Sequence, residues 1–243
     1  MSLHPLHTTA LLRESYTRYL KTIYPFQDAR LRGQFWAALA EPADRLVKGP
    51  LLEAAPPYRP GPSLAELVAE GVLAPTFAKL CEDNGALPYH RPLYAHQAAA
   101  VRRAAGGNLI VATGTGSGKT ESFLIPIFDH LLRERAAGTL AQPGVRALLL
   151  YPMNALANDQ MDRLRRLLGR FPDITFGRYT GETEIRRDAA LDKYLRLQRF
   201  TEGREPEPPP DNELLSRKEI VAAPPHLLLT NYAMLEDLLL RPH

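Results

Sequence analysis

Apolar residues recur at helical spacing along the amino-terminal part of the chain, and proline breaks the pattern repeatedly. From Thr9 the positions Leu12, Tyr16, Tyr19, Leu20 and Ile23 follow one helical face until Pro25 stops it. Asp28 can cap a second helix in which Leu31, Phe35, Trp36 and Leu39 share a face before Pro42. Residues 49–62 carry Pro50, Pro56, Pro57, Pro60 and Pro62 and read as an extended connection. Ser63 followed by Glu66 makes a capping-box pattern ahead of Leu64, Leu67 and Val68, and a further helix is predicted over residues 75–84, ended by Gly85.

Near Pro92 the periodicity changes. Short β-rich runs alternate with longer helical ones over 108–113, 119–135, 145–151 and 154–169, in the order βαβα, and 174–179 and 227–230 are two more predicted strands. The runs Leu109-Ile110-Val111 and Leu148-Leu149-Leu150 read as strands buried on both faces, which calls for a parallel sheet covered by helices. Residues 182–219 include an acidic, proline-rich stretch and show no period in the middle, so a solvated insertion or flexible loop is expected there. The expected fold class is α/β: an incomplete parallel-sheet domain over residues 92–243, preceded by a mostly helical region over residues 1–91.

Composition narrows the class without naming a function. Apolar residues at 45% and charged residues at 23% describe a globular chain able to bury a core. A net charge of +3 is compatible with polyanion binding and does not demand it. Cys81 is the sole cysteine, which excludes a disulfide scaffold, and it reads as a small buried hydrophobe. His4, His7 and His90 are too scattered to suggest a metal site. No run approaches the roughly 18 apolar residues of a membrane span, and the amino terminus has no basic-then-apolar signal pattern, so a cytoplasmic protein without a membrane partner is expected.

The most informative residues are Thr113-Gly114-Thr115-Gly116-Ser117-Gly118-Lys119-Thr120, which follow the first predicted strand and open a helix. Glycines let successive backbone N–H groups turn toward phosphate oxygens, and the helix amino terminus adds its positive dipole. In such a loop Lys119 reaches the β- and γ-phosphates as a point charge and the Thr120 hydroxyl ligates Mg²⁺. Thr115, Gly116, Ser117, Gly118, Lys119, Thr120 and Glu121 are the predicted nucleotide-binding residues, with ATP and Mg²⁺ as cofactors and Lys119 and Thr120 the groups serving catalysis. The general pattern has glycine where this chain has Thr113.

That variant, ending in Thr115 to Thr120, resembles motif I of the superfamily 2 DEAD/DEAH-box helicases, in the first RecA-like domain. Leu93-Tyr94-Ala95-His96-Gln97 resembles the family's glutamine motif, which implies that Gln97 reads adenine through its amide. Tyr151 to Gln160 stands where the family places motif Ia, Tyr179-Thr180-Gly181-Glu182-Thr183 resembles motif Ib, and Leu229-Thr230-Asn231-Tyr232 resembles the next Thr-containing motif. The resemblance implies nucleic-acid contacts from Pro152, Asn154, Gln160, Thr180, Gly181, Thr230 and Asn231, all near carboxyl ends of predicted strands, where ligands of open α/β sheets collect. Taken together the motifs look most like large bacterial helicases associated with DNA repair or phage defence, which implies a RecA-like P-loop NTPase fold and a nucleic-acid partner, usually DNA. Arg163, Arg165, Arg166 and Arg170, with Arg178, Arg186 and Arg187 nearby, read either as a solvated helix face or as a phosphate-tracking surface.

A motor of this superfamily also needs an Asp-Glu pair for Mg²⁺ and a second RecA-like domain supplying arginine fingers. No D-E-x-H or D-E-x-D occurs, and Glu236 and Asp237 are in the reverse order within a leucine-rich helical stretch. The chain is therefore expected to be the amino-terminal piece of a larger ATP-dependent helicase, inactive alone, with a partner chain as one source of the missing half. A nucleotide-gated interaction module that docks through residues 182–219 and the amino-terminal helices is the alternative. A phosphate-loop ATPase unrelated to nucleic acid is a third.

Overall fold

Capping chemistry places the first helices where the residue pattern puts them. Pro5 opens helix α1 (Pro5–Ile23), and Asp28 Oδ1 accepts from the Leu31 amide at 2.8 Å at the start of helix α2 (Ala29–Ala40). Both lie in a first unit, Met1–Pro57, and the remainder forms a second, Tyr58–His243, in a computed structural model that describes residues 4–40, 57–81, 87–202 and 206–240. Residues 49–56 of the proline-rich connection and the end of the helix predicted to stop at Gly85 lie outside the described residues. In the first unit Lys21 of α1 lies 4.9 Å from the ring centroid of Trp36 on α2, where Arg32 also lies at 5.9 Å, and Phe26 of the connection packs its ring 5.1 Å from that of Phe35.

Residues 58–91, grouped by pattern with the helical region, contribute to the core of the second unit. Pro60–Ser63 is not merely an extended connection but a strand, β1, paired antiparallel with β2 (Pro92–Tyr94); both are short edge strands, where proline's missing N–H does little harm. The Ser63 amide donates to Glu66 Oε2 at 2.7 Å and the Glu66 amide to Ser63 Oγ at 3.2 Å, closing the expected capping box of α3 (Leu64–Ala69). Leu64, Leu67, Phe77 and Leu80, from α3 and α4 (Phe77–Cys81), join Leu124, Phe128 and Leu131 of α6 (Lys119–Ala137) in one buried cluster. Cys81 is buried, as expected. Between these parts runs α5 (Ala95–Arg103).

The sheet has four parallel strands in the order β3 (Ala147–Tyr151), β6 (Leu227–Asn231), β4 (Phe176–Tyr179) and β5 (Glu213–Leu214). Helix α7 (Asn154–Leu168) follows β3 and packs Met161 and Leu164 against Leu149, Leu227 and Leu229. Central β6 is buried over Leu227 to Thr230, whereas β3 lies at the edge and exposes Leu148 and Leu150 by 39% and 48%. The expectation of two doubly buried strands is therefore corrected for both runs. Residues 108–113 form no strand, and Ile110 is 92% exposed, because no described strand offers that segment a hydrogen-bonding ladder. Helix α10 (Tyr232–Leu240) follows β6. No described helix is long and apolar enough to cross a membrane.

The expected flexible insertion is also corrected. It contains helix α8 (Arg187–Glu202), strand β5 and helix α9 (Arg217–Ala222). A buried ion pair fixes β5: Arg165 of α7 donates to both Glu213 carboxylate oxygens at 2.7 Å, and Glu213 is 1% exposed. The Asn212 amide nitrogen donates to the carbonyls of Leu168, Phe171 and Ile174 at 2.8 to 3.0 Å, and a Ser216–Glu219 capping box starts α9. Hydrogen bonds from Ser216 and Arg187 outweigh partial burial and hold the Glu219 carboxyl below the usual carboxylate range. Arg165→Ala would leave Glu213 buried and unpaired, so urea unfolding should show a stability loss of about 3–5 kcal/mol. An unchanged midpoint would mean that β5 is anchored by other contacts.

Candidate nucleotide and nucleic-acid site

The residues 113–120 wrap a loop whose carbonyls are held by side-chain donors. Lys119 Nζ donates to the Thr113 and Gly114 carbonyls at 3.0 and 2.7 Å, and Tyr58 Oη to that of Thr115 at 3.4 Å. His96 Nε2 lies 2.9 Å from the Ser117 carbonyl, and Gln97 Nε2 donates to that of Gly118 at 2.8 Å. Thr113 Oγ1 and Ser117 Oγ sit 2.5 Å apart and brace the turn. Among the described residues, none of the Gly114 to Gly118 amides pairs with a backbone carbonyl. With carbonyls turned to protein donors, the amides are the polar groups left to meet an anion.

Two glycines make this possible. Gly116 and Gly118 have φ of +76° and +69°, in the left-handed region where a side chain is strained. A Cβ on Gly118 would also stand 2.5 Å from Gln97 Nε2, whereas one on Gly116 would meet nothing within 4 Å. Thr115, Gly116 and Lys119 are exposed, Gly118 and Thr120 are half-buried, and Ser117 is buried.

Gln97, the expected adenine reader, is 5% exposed and already engaged at both ends of its amide. Its Oε1 accepts from the Tyr94 amide at 2.7 Å, while Nε2 serves Gly118 and, at 3.4 Å, Glu121 Oε2. A buried amide has to satisfy these groups, and it does so on the loop itself. Beside it opens a cavity of about 250 Å³ lined by Arg91, Pro92, Tyr94, Gln97, Gly116 and Gly118. The Tyr94 ring lies 5.1 Å from that of Tyr58 and 5.8 Å from that of His96, the latter stacked at 21°. Sequence gives no sign that Tyr58 reaches the loop; His96 sits inside the glutamine-motif run and was visible only as its neighbour.

The strand ends on the other rim are tied together. Asn154 Nδ2 donates to Glu182 Oε1 and Asn231 Nδ2 to Asn154 Oδ1, each at 3.0 Å, so the three motif-like segments meet. Asn231 Oδ1 also accepts from the Met234 amide at 2.8 Å and caps α10. Pro152 and Gly181 are exposed. The two threonines are not presented to a ligand: Thr180 and Thr230 are each 0% exposed, and Thr230 Oγ1 donates to the Tyr179 carbonyl at 2.5 Å. Gln160 is half-buried, with its Oε1 enclosed and without a partner among the described residues.

Most of the arginines near this rim serve the protein itself. Arg163 pairs with Glu121 at 2.7 Å, Arg165 with Glu213, Arg178 with Asn158, Arg186 with Asp188 and Arg187 with Glu219. Burial pushes the Arg178 guanidinium down from its ordinary pKa, and Glu182 opposes that shift. Pairing within the protein therefore accounts for these five arginines better than an open phosphate track. No group of three or more His, Cys, Asp or Glu residues among those described could hold a metal.

Residues 94–204 match the family model described as DEAD/DEAH box helicase. With the phosphate loop and parallel sheet, they define a superfamily 2 DEAD/DEAH-box helicase domain of partial RecA-like fold. The chain is 32% identical, over 97% of its length, to Druantia protein DruE of Escherichia coli, of which it covers 17%. It is 30% identical, over 44% of its length, to ATP-dependent helicase HRQ1 of Saccharomyces cerevisiae, of which it covers 10%. The crystal structure of DUF1998 helicase MrfA bound to DNA and AMPPNP aligns with 22% identity and a TM-score of 0.48, over 74% of this chain and 19% of that one. The chain thus spans only a small part of these proteins.

Gly118→Ala should cost more stability than Gly116→Ala. Both pay the left-handed strain of about 1–2 kcal/mol, and only the former also displaces Gln97. Thermal unfolding of both variants checks this, and equal losses would show that Gln97 moves aside freely.

Proposed function

We propose that this chain is the ATP-binding part of an ATP-dependent nucleic-acid motor, with a DNA strand crossing the rim that holds Pro152 and Gly181. The observation that carries the reading is the loop in which Gly116 and Gly118 take left-handed conformations while side chains hold the neighbouring carbonyls. A triphosphate would lie against the freed amides at the amino terminus of α6. Lys119 is exposed and, among the described residues, bonded to two loop carbonyls, so its ammonium can exchange them for phosphate oxygens.

The donor set fits Mg²⁺ only as a nucleotide-borne ion. Thr120 supplies one hydroxyl, and Mg²⁺ keeps several waters while taking its other ligands from phosphates. When bound, the ion would neutralise phosphate charge; Thr120 would hold it and Lys119 would orient the terminal phosphates. The cavity beside Gln97 and the Tyr94 ring offers the adenine a flat apolar contact. Gln97 would act first through the loop, and at the base only by exchanging one of its present bonds. Relatives named as ATP-dependent helicases support the motor reading. A role in DNA repair or phage defence is the finer proposal, and it belongs to the whole protein.

An interaction module that docks a partner chain is the second reading. It is favoured by apolar side chains left in solvent, among them Leu150, Tyr232, Leu239 and Leu240.

Lys119→Ala should weaken binding of a fluorescent ATP analogue by roughly ten- to a hundredfold, read by titration. Multi-turnover ATP hydrolysis by the chain alone would overturn its assignment as a partial motor, since the Asp-Glu pair is lacking. Labelled single strands of DNA and RNA should bind with affinity that falls steeply as salt rises. Failure of both strands to bind at low salt would remove nucleic acid from the proposal.

A further inference from the structure

We propose that Glu121 and Arg163 are a positioning pair through which strand occupancy at the rim sets the phosphate loop, with α7 as the rigid element between them. The proposal rests on the nucleotide and strand sites described above and adds the connection between them.

An unbroken series of contacts leaves the loop. The Gly118 carbonyl accepts from Gln97 Nε2 at 2.8 Å, the same nitrogen lies 3.4 Å from Glu121 Oε2, and Glu121 Oε1 accepts from Arg163 Nη2 at 2.7 Å. The pair is shielded, with side chains 22% and 16% exposed, so solvent and salt screen it less than a surface pair. Arg163 lies on α7, whose first residue, Asn154, joins the ends of β3, β4 and β6 through Glu182 and Asn231. Arg163 stands nine positions along the helix from Asn154, about 13.5 Å along its axis.

Gln97 Nε2 stands between two acceptors, the Gly118 carbonyl and the Glu121 carboxylate. While Arg163 neutralises Glu121, the neutral carbonyl keeps the shorter bond. Drawing Arg163 away leaves a half-buried carboxylate without its cation, and that carboxylate competes for the Gln97 amide. The Gly118 carbonyl is then released to turn toward the anion. A small rotation of α7 caused by a strand on Asn154 and its partners therefore changes the phosphate cradle without touching it. Linkage requires the reverse as well: nucleotide must alter strand affinity by the same factor.

The full chain can be titrated with a ribose-labelled fluorescent ATP, with and without a single-stranded oligothymidylate. The strand should lower wild-type ATP affinity about fivefold. In Arg163→Gln that ratio should approach one, ATP affinity without strand should fall about fivefold, and affinity for the strand alone should stay within about twofold. Glu121→Gln removes the competing carboxylate, so it should also bring the ratio toward one while leaving ATP affinity without strand within about twofold, and it serves if Arg163→Gln fails to fold by circular dichroism. Arg163→Lys, which keeps a cation beside Glu121, should retain the ratio that Arg163→Gln loses. A wild-type ratio of one, or folded Arg163→Gln and Glu121→Gln chains with the wild-type ratio, overturns the coupling. A wild-type chain that binds no labelled ATP overturns the nucleotide site itself, and the coupling with it; ATP binding lost in Lys119→Ala but unmoved in Arg163→Gln overturns the coupling alone.

Discussion

The hydrogen bond from the Gln97 amide to the Gly118 carbonyl governs the shape of the phosphate loop. A carbonyl facing a triphosphate would repel it, so an anion cradle needs its carbonyls turned elsewhere and kept there. Three of the donors that do so come from outside the loop, Tyr58 ahead of β1 and His96 and Gln97 on α5, and the fourth is Lys119 at the start of α6. Their positions depend on how α5 and α6 pack, with Val101, Leu124 and Phe128 buried in one cluster. The core thus acts on the site by aiming donors, which is how burial of leucines becomes a local electrostatic property.

The opposite rim follows a different economy of polar groups. The parallel strands bury Thr180 and Thr230 at their carboxyl ends and spend their hydroxyl positions inside the protein. Asparagines then join the strand ends, and the exposed residues beside them include Pro152, Met153, Gly181 and Tyr232.

Features set by neighbouring residues were legible in the sequence. The glycine spacing of 113–120, the Ser63–Glu66 and Asp28 caps and the strand at 227–230 depend on local geometry, and they stand where the pattern places them. What depends on distant partners was not legible. Whether Leu148 or Ile110 is buried is decided by the strand lying beside it, and periodicity carries no record of that strand. The stretch 182–219 has weak local pattern because its fold is held from outside, by Arg165 on Glu213 and by Asn212 on three carbonyls of another segment. Gln97 was recognisable as a motif residue, but its engagement with Gly118 arises across the packing of two helices.

Strand β3 pairs with β6 on one side, and no described strand lies on the other. Because Leu149 points into the cluster with α7, pleating turns Leu148 and Leu150 to the opposite face. Over Ala147–Tyr151 that margin carries neither a charged side chain nor a proline, the groups that usually blunt such edges. In concentrated solution this margin can seed stacking of extended polypeptide while every helix remains intact, so turbidity of the isolated chain would report on its lateral edge and not on its thermodynamic stability.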